Sequence, residues 1–222
     1  MDANFNKDTD KSKERKIKLF KEVCTKIDDF VKNEGHKLSI FELPEVQNTS
    51  GVMKYTQTFF KALFKIAKEK KNYGKRVCLV LEEAHTIIPE RNFSGVSEKI
   101  SQPLINSIAQ IALQGRKYNI GLLVIAQRTA NVSKTILTQC NSIISFQEFD
   151  KTSTDFLANY FGSDMMASTL TKLKFRQAVA AGKAFKSSVP MIFDVPKISE
   201  EQVEGRGDTP SPEVATEVAV LG

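Results

Sequence analysis

Residues 76–85, RVCLVLEEAH, constrain the fold of this chain more than any other stretch. The apolar run Val77–Leu81 has the character of a buried β-strand, and two adjacent carboxylates, Glu82 and Glu83, follow it directly. In a parallel α/β sheet, ligands bind at the carboxyl ends of the strands. There, one acid can hold Mg²⁺ while the other orients a nucleophilic water. The pattern therefore predicts one half of a nucleotide-hydrolysing site.

The other half of such a site is missing from the sequence. Nowhere in the 222 residues is there a Gly-x-x-x-x-Gly-Lys-Ser/Thr phosphate loop. The backbone N–H groups and the lysine of that loop provide most of the grip on the β- and γ-phosphates of a nucleotide. We therefore expect these residues to bind ATP only weakly when they act alone.

The composition is that of an ordinary globular protein, with 41% hydrophobic and 26% charged residues. The length suits one domain or one domain with appendages. No segment approaches the roughly 18 to 20 apolar residues that a membrane span requires, and the polar first residues do not resemble a secretory signal. Cys24, Cys78 and Cys140 lack metal-type spacing. We therefore expect reduced thiols in a cytoplasmic protein without a membrane partner.

The net charge of +6 is unevenly distributed. Residues 199–222 contain six acidic residues and one arginine, a net charge of −5, so the preceding 198 residues carry +11. A positive body is compatible with nucleic acid as a partner, bound in a salt-dependent way. Plain solubility explains the same charge equally well.

Periodicity predicts an α/β protein, with a mostly parallel sheet and helices on both faces. We divide the chain into a charged N-terminal segment with an amphipathic helix (1–37), a core (38–196) and an acidic flexible tail (197–222). The predicted helices are 17–33, 56–70, 97–114 and 152–161, with a short helical turn at 133–138. The predicted strands are 38–43, 77–81, 122–126 and 142–146, followed by a β-hairpin within 173–195.

Glu82 and Glu83 are the strongest candidates for chemistry. We assign Glu82 to the magnesium side and Glu83 to the polarisation of the attacking water; the alternative is an exposed pair that caps the strand. Gln127 ends the next predicted strand, and in a parallel sheet it would lie beside the acids. Its amide can donate to a γ-phosphate and accept from water, although an ordinary glutamine at the end of a strand looks the same.

Three further side chains have alternative interpretations. The guanidinium of Arg116 could stabilise charge on a transferred phosphoryl group, or it could complement the dipole at the end of the preceding helix. Arg128 is a second candidate for this role. His85 could join the glutamates as a metal ligand, but a zinc site needs further ligands at defined spacing. A Ser/His/Asp site has no nucleophile-elbow motif to support it.

Three blocks of the sequence carry a resemblance to a known family. They are LVLEEAHTIIP (79–89), GRKYNIGLLVIAQRTANVSKTILTQCNSIISF (115–146) and GKAF…VPMIFDV (182–195). In order and spacing they resemble the HerA-like branch of the HerA/FtsK superfamily of ATP-driven DNA translocases, and the resemblance covers roughly residues 38–196. Type IV secretion ATPases share part of the pattern.

The resemblance implies a RecA-like ATPase core that uses ATP and Mg²⁺ and works as a hexameric ring on duplex DNA. By that analogy Glu82 and Glu83 are the Walker B acids, and Gln127 is the polar sensor. Arg116 is the arginine finger, supplied from a neighbouring subunit, and Arg128 lies on the nucleotide-binding side. HerA-type proteins commonly work with a nuclease or another effector, in DNA end resection or in phage defence. Contacts with DNA would be independent of base sequence.

The missing phosphate loop is the main departure from that family, whose members carry it, often behind an N-terminal β-barrel, before the region matched here. We interpret the chain as the C-terminal portion of a split or truncated HerA-like ATPase, complemented by a partner chain that bears the Walker A loop. The alternative is a non-catalytic subunit that assembles with an active ATPase or a nuclease. A third interpretation is an inert gene fragment.

Overall fold

A computed structural model of the chain describes residues 10–33, 35, 37–41, 49–90, 98–162 and 164–197. The helices are α1 (Asp10–Lys32), α2 (Thr49–Lys70), α3 (Ala84–Ile87), α4 (Glu98–Gln114), α5 (Lys134–Leu137), α6 (Lys151–Phe161) and α7 (Met165–Lys172). The strands are β1 (Val77–Leu81), β2 (Ile120–Val124), β3 (Ser142–Ser145), β4 (Gln177–Gly182) and β5 (Met191–Asp194). Three 3₁₀ turns lie at Lys71–Gly74, Gly115–Tyr118 and Thr129–Asn131.

The chain forms two compact units. Among the described residues, the first unit contains α1, α2, α4 and the N-terminal ends of β1 and β2. The second contains the C-terminal ends of β1 and β2, together with α3, α5 to α7 and β3 to β5. The predicted domain boundaries at 37 and 196 stay a prediction, and the acidic tail lies outside the described residues apart from Lys197.

The first unit is built on amphipathic helices. In α1 the buried side chains Val23, Ile27 and Val31 recur every four residues and form one apolar stripe. The helices predicted at 17–33 and 56–70 are present, but α1 begins at Asp10 and α2 begins at Thr49. Charged residues at the start of α1 are good helix formers without an apolar period, so hydrophobic periodicity alone underestimates its length.

β1 and β2 are parallel, as the α/β prediction requires. The N–H of Val77 donates to Asn119 O at one end, and the N–H of Ile125 donates to Leu81 O at the other, both at 2.9 Å. The hydrogen-bonded residues increase in number in the same direction along both strands, so the two strands are parallel. α4 lies between the two strands in sequence, so the α/β fold with a parallel sheet and flanking helices is confirmed.

A second, three-stranded sheet has the order β3-β4-β5 and is antiparallel throughout. The hairpin predicted within 173–195 is formed by β4 and β5, with Val179 opposite Ile192. β3 corresponds to the strand predicted at 142–146 and pairs with β4. Residues 38–41 of the strand predicted at 38–43 form no strand, only a single bridging position at Ile40; residues 42 and 43 lie outside the description.

The core of the second unit joins α6 and α7 to this sheet through the buried side chains Leu157, Phe161, Leu170, Leu173 and Val179. At the start of α6, the Asp150 carboxylate accepts a hydrogen bond from the N–H of Ser153 at 2.9 Å. Within the described ranges, no helix combines the length and apolar character needed to cross a membrane.

Candidate active site

Glu83 stands at the point where β1 turns into α3. The buried Leu81 ends the strand, and Glu83 adopts a left-handed conformation with φ 47° and ψ 45°. Its carbonyl oxygen accepts hydrogen bonds from the N–H of Thr86 at 2.8 Å and from Thr86 Oγ1 at 2.7 Å. The turn that carries the carboxylate is therefore held by its own backbone and by the threonine hydroxyl.

The same turn is fastened to the end of β2. The N–H of Ile125 donates to Leu81 O at 2.9 Å, and the N–H of Ala84 donates to Ile125 O at 3.0 Å. These two bonds extend the parallel pairing past the last strand residues. They fix the chain after β1 relative to the chain after β2, which carries Gln127.

Gln127 contacts Glu83, as expected from their positions at the ends of neighbouring strands. Gln127 Nε2 donates to Glu83 Oε1 at 3.0 Å. A carboxylate only accepts hydrogen bonds, so the amide nitrogen must face it and the amide oxygen remains available to another donor. The Glu83 side chain is 54% exposed, which leaves room for a water or a ligand.

His85 also contacts Glu83, although its sequence context suggests only a metal-ligand role. Its Nδ1 lies 3.3 Å from Glu83 Oε2, and within the described residues this buried nitrogen has no hydrogen-bond partner. The left-handed backbone at Glu83 brings its side chain and that of His85 together, a local effect that sequence spacing does not reveal. In the described parts of the chain, no three His, Cys, Asp or Glu side chains cluster as a zinc site would require.

The loop after α3 is tied to the loop after β2. Pro89 forms an antiparallel bridge with Val132, and the N–H of Ser133 donates to Ile88 O at 2.9 Å. Glu90 Oε2 accepts a hydrogen bond from the N–H of Lys134 at 2.7 Å. Glu90 is thus a third acid after β1, and its carboxylate ties the loop after α3 to the start of α5.

Glu82 and Arg128 are both exposed and face solvent. Within the described residues, the Glu82 side chain takes part in no hydrogen bond or ion pair. The carbonyl oxygen of Arg128 accepts from the N–H of Asn131 at 3.2 Å, which begins the 3₁₀ turn Thr129–Asn131. Both charged groups are therefore accessible to a ligand.

Arg116 lies in the 3₁₀ turn Gly115–Tyr118 and is exposed. The turn depends on Gly115, because a Cβ there would meet Ile120 O at 2.6 Å. Arg116 belongs to the first compact unit, whereas Glu83 and Gln127 belong to the second. The residues that the structure brings into direct contact are therefore Glu83, Gln127 and His85.

The side chains at the ends of β1 and β2 suit a hard cation such as Mg²⁺ and a phosphate-containing ligand. The accessible donors are the carboxylates of Glu82 and Glu83 and the amide oxygen of Gln127, and Mg²⁺ is typically held by one or two carboxylates together with substrate phosphates and water. The phosphate-binding loop itself is absent from the 222 residues. The donor set therefore fits Mg²⁺, while the nucleotide would need further contacts.

Comparison with known proteins finds helicases to which this chain is similar. It is 27% identical to the probable helicase MJ1565 of Methanocaldococcus jannaschii over 134 residues, which cover 60% of this chain and 24% of the relative. It is 30% identical to the probable DNA double-strand break repair helicase HerA of the same organism over 126 residues, which cover 55% and 23%. The chain thus spans about a quarter of the length of these relatives. No family model matches it.

A solved structure with the same fold is the genome packaging NTPase B204 of Sulfolobus turreted icosahedral virus 2, in complex with AMPPCP. Its TM-score is 0.50 at 16% identity, over 75% of this chain and 78% of that one. The likeness supports the RecA-like fold. In sequence the chain is similar to HerA and to a related helicase, the family that its three sequence blocks resemble.

Proposed function

We propose that this chain is the catalytic-acid half of a HerA-like ATPase that moves along DNA, and that it works with a phosphate loop supplied from outside these 222 residues. The observation that carries the proposal is the hydrogen bond between Gln127 and Glu83, which joins the two parallel strand ends. A carboxylate that served only as a strand cap would not need a fixed amide partner from a neighbouring strand. The helicase names of the curated relatives support the same function.

In this proposal Glu83 is the general base. Its carboxylate is accessible, and Gln127 fixes the orientation of Oε1, so that an attacking water can be oriented and its proton accepted. The free amide oxygen of Gln127 can receive a hydrogen bond from that water. Gln127 thereby also acts as the sensor, because a change at its amide is transmitted to the base through a single hydrogen bond.

Glu82 would hold Mg²⁺, which neutralises charge on the β- and γ-phosphates when it is bound. Arg128, two positions along the loop from Ala126, is exposed on the same unit and would contact the nucleotide. Arg116 would complete the site of a neighbouring subunit in a ring, where an arginine stabilises the developing charge.

The partner supplied from outside provides what the chain lacks. The loop lysine and backbone N–H groups would grip the phosphates. The positive charge of residues 1–198, +11, would attract duplex DNA through its phosphates and without base preference. A nuclease or defence effector as a further partner remains part of the proposal.

The decisive experiment compares ATP binding and DNA-stimulated hydrolysis by the full chain in two conditions: alone, and with a polypeptide that carries the HerA-type phosphate loop. We expect weak binding and no turnover by the chain alone, and turnover when the loop is supplied. Glu83→Gln should then reduce turnover by about 100-fold or more while nucleotide binding changes less than about twofold.

Three results would contradict the proposal. Turnover by the chain alone, abolished by Glu83→Gln, would mean that the chain holds a complete site of another design. Normal turnover of Glu83→Gln with the loop supplied would show that Glu83 is not the general base. Assembly with the partner but no turnover in any condition would favour the non-catalytic subunit.

A further inference from the structure

The turn that carries Arg116 is held on several sides. The N–H of Asn119 donates to Gly115 O and closes the turn, and Gly115 packs too closely on the start of β2 to accept a Cβ. The ring of Tyr118 meets the ring of Phe64 of α2 edge-on, with 5.4 Å between the ring centres. The backbone at Arg116 is therefore fixed by its neighbours, while the side chain of Arg116 is exposed.

A side chain from outside this turn completes its attachment. Asn72 Nδ2 donates to Tyr118 O at 2.8 Å, although the two residues are 46 positions apart in the chain. A carbonyl oxygen only accepts hydrogen bonds, so the amide nitrogen of Asn72 must face it. Asn72 is 0% exposed, which protects this hydrogen bond from competition with water. Asn72 thus ties the segment between α2 and β1 to the turn before β2.

The backbone around Asn72 is left-handed. Lys71, Asn72 and Tyr73 have φ values of 48°, 50° and 52°, and Gly74 follows at 79°. Residues with a Cβ adopt this conformation at a cost in free energy, which is lower for asparagine than for most others and absent for glycine. Such a run persists only where surrounding contacts hold it. It buries Asn72 while Lys71 and Tyr73 on either side stay exposed.

The left-handed turn is also fastened to α1. Tyr73 Oη donates to Asp28 Oδ1 at 2.5 Å, and Lys75 Nζ donates to Lys32 O at 2.9 Å. Hydrogen bonds from Lys32 and Tyr73 lower the pKa of the Asp28 carboxyl, so it stays an ionised acceptor. The contacts that hold the strained run therefore come from α1 and from the turn that carries Arg116.

Stability alone does not explain an asparagine at position 72. In the described part of the chain its Oδ1 is buried without a hydrogen-bond partner, and such a group costs free energy. A glycine would adopt the same backbone with less strain, and it would leave at most one oxygen unpaired, that of Tyr118. What the asparagine side chain adds is one hydrogen bond to the turn that carries Arg116.

We propose that Asn72 is a positioning residue for Arg116, and that it holds the 115–118 turn where the guanidinium reaches the nucleotide site of a neighbouring subunit. This inference rests on the role of Arg116 in the proposed function. A guanidinium that stabilises developing charge must be placed accurately, because a misplacement of about 1 Å costs about 100-fold in rate. The arginine side chain is long and exposed, so the fixed backbone is what restricts its reach.

The substitution Asn72→Gly removes the hydrogen bond and keeps a residue that suits the left-handed backbone. Lys71→Gly is the matched control, because Lys71 has the same backbone conformation and is exposed. In the full chain with the phosphate loop supplied, we expect Asn72→Gly to lower kcat by about 10-fold while KM for ATP changes less than about twofold. Lys71→Gly should have normal kinetics.

A double-mutant cycle with Arg116→Ala separates positioning from a general structural effect. If Asn72 acts through Arg116, Asn72→Gly should change kcat by less than about twofold once Arg116 is already alanine. Loss of about 10-fold in both backgrounds would overturn the proposal, because the effect would then not pass through the guanidinium. Normal kcat of Asn72→Gly in the otherwise unchanged chain would overturn it as well.

Hydrogen exchange of the full chain, followed by mass spectrometry, tests the attachment of the turn without ATP. In a peptide spanning residues 115–120, Asn72→Gly should speed exchange by about 10-fold or more, and Lys71→Gly should not. Peptides from α6 should exchange at the unmodified rate in both variants, which shows that the chain is folded. Unchanged exchange at 115–120 in Asn72→Gly would overturn the proposal.

Failure of the proposed function has a different signature. Faster exchange at 115–120 in Asn72→Gly, together with normal turnover of Arg116→Ala or with no turnover in any condition, would contradict the role assigned to Arg116. The positioning role of Asn72 in catalysis would be overturned with it, although the hydrogen bond would still hold the turn.

Discussion

Gln127 Nε2 lies 3.0 Å from Glu83 Oε1, although the two residues are 44 positions apart in the chain. The contact exists because β1 and β2 run in parallel and end at the same edge. It links the proposed base to the strand that would sense the nucleotide. Substitutions on either side of this bond should therefore affect turnover more than folding.

Gln127→Ala should lower ATP turnover, with the phosphate loop supplied, by about 10- to 100-fold, because the Glu83 carboxylate loses its fixed orientation. Gln127→Glu should be at least as harmful, since two carboxylates would then repel each other. Steady-state hydrolysis measures the effect. Gln147→Ala is the control, because Gln147 Nε2 bonds Thr171 O away from the site. Equal losses in both variants would indicate a general structural effect.

Arg116→Ala should reduce hydrolysis by about 100-fold or more without preventing assembly, because the proposed role of this guanidinium is to stabilise charge in the transition state. Hydrolysis and size-exclusion profiles of the reconstituted ATPase should be compared. The adjacent exposed Lys117 gives the matched control, Lys117→Ala, which should be nearly normal. Full activity of Arg116→Ala would show that Arg116 is not part of the site, and Arg128 would then be the candidate for the same role.

Gly182→Ala should destabilise the second unit by roughly 2 kcal/mol or more. Gly182 has φ 112°, and a Cβ there would meet Asn141 O at 2.2 Å and the Ser142 Cα at 2.5 Å. Gly121→Ala is the control, since its Cβ would meet only Val77 O at 4.0 Å. Urea unfolding should give a clearly lower midpoint for Gly182→Ala alone. Similar midpoints for the two variants would show that the β3–β4 approach can relax.

Cys78 should react with iodoacetamide faster than Cys140 at about pH 8. Burial raises the pKa of the Cys140 thiol, so a smaller fraction of it is the reactive thiolate at this pH, whereas Cys78 is exposed. The difference should shrink as pH rises and should vanish in denaturant. Peptide mass spectrometry follows both sites. Faster labelling of Cys140 in the native protein would mean that its surroundings open readily.

The sequence was most informative where chemistry and local pattern coincide. The strand at 77–81 was predicted with its observed bounds because Arg76 and Glu82 bracket an uninterrupted apolar run. The contact between Glu83 and Gln127 could be predicted from one assumption, that the two strands before these residues are parallel neighbours in a sheet. The antiparallel pairing of β3 with β4 could not be predicted in this way, because it depends on contacts between residues that are far apart in the sequence.

Other features depend on local geometry that residue patterns do not encode. Helix α7, MMASTLTK, was not predicted because its serine and threonines give no helix signal and only Leu170 is fully buried. The approach of His85 to Glu83 depends on the left-handed turn at Glu83. Glutamate rarely adopts this conformation, so the sequence does not predict it.

That turn has an evolutionary consequence. A non-glycine residue at φ 47° costs about 1 kcal/mol relative to glycine, and a single base change converts a glutamate codon into a glycine codon. Glu83→Gly would therefore give a more stable chain that has lost its proposed base. Selection for stability alone would favour that substitution. A glutamate at position 83 is therefore explained by its proposed chemistry and not by the conformation of its backbone.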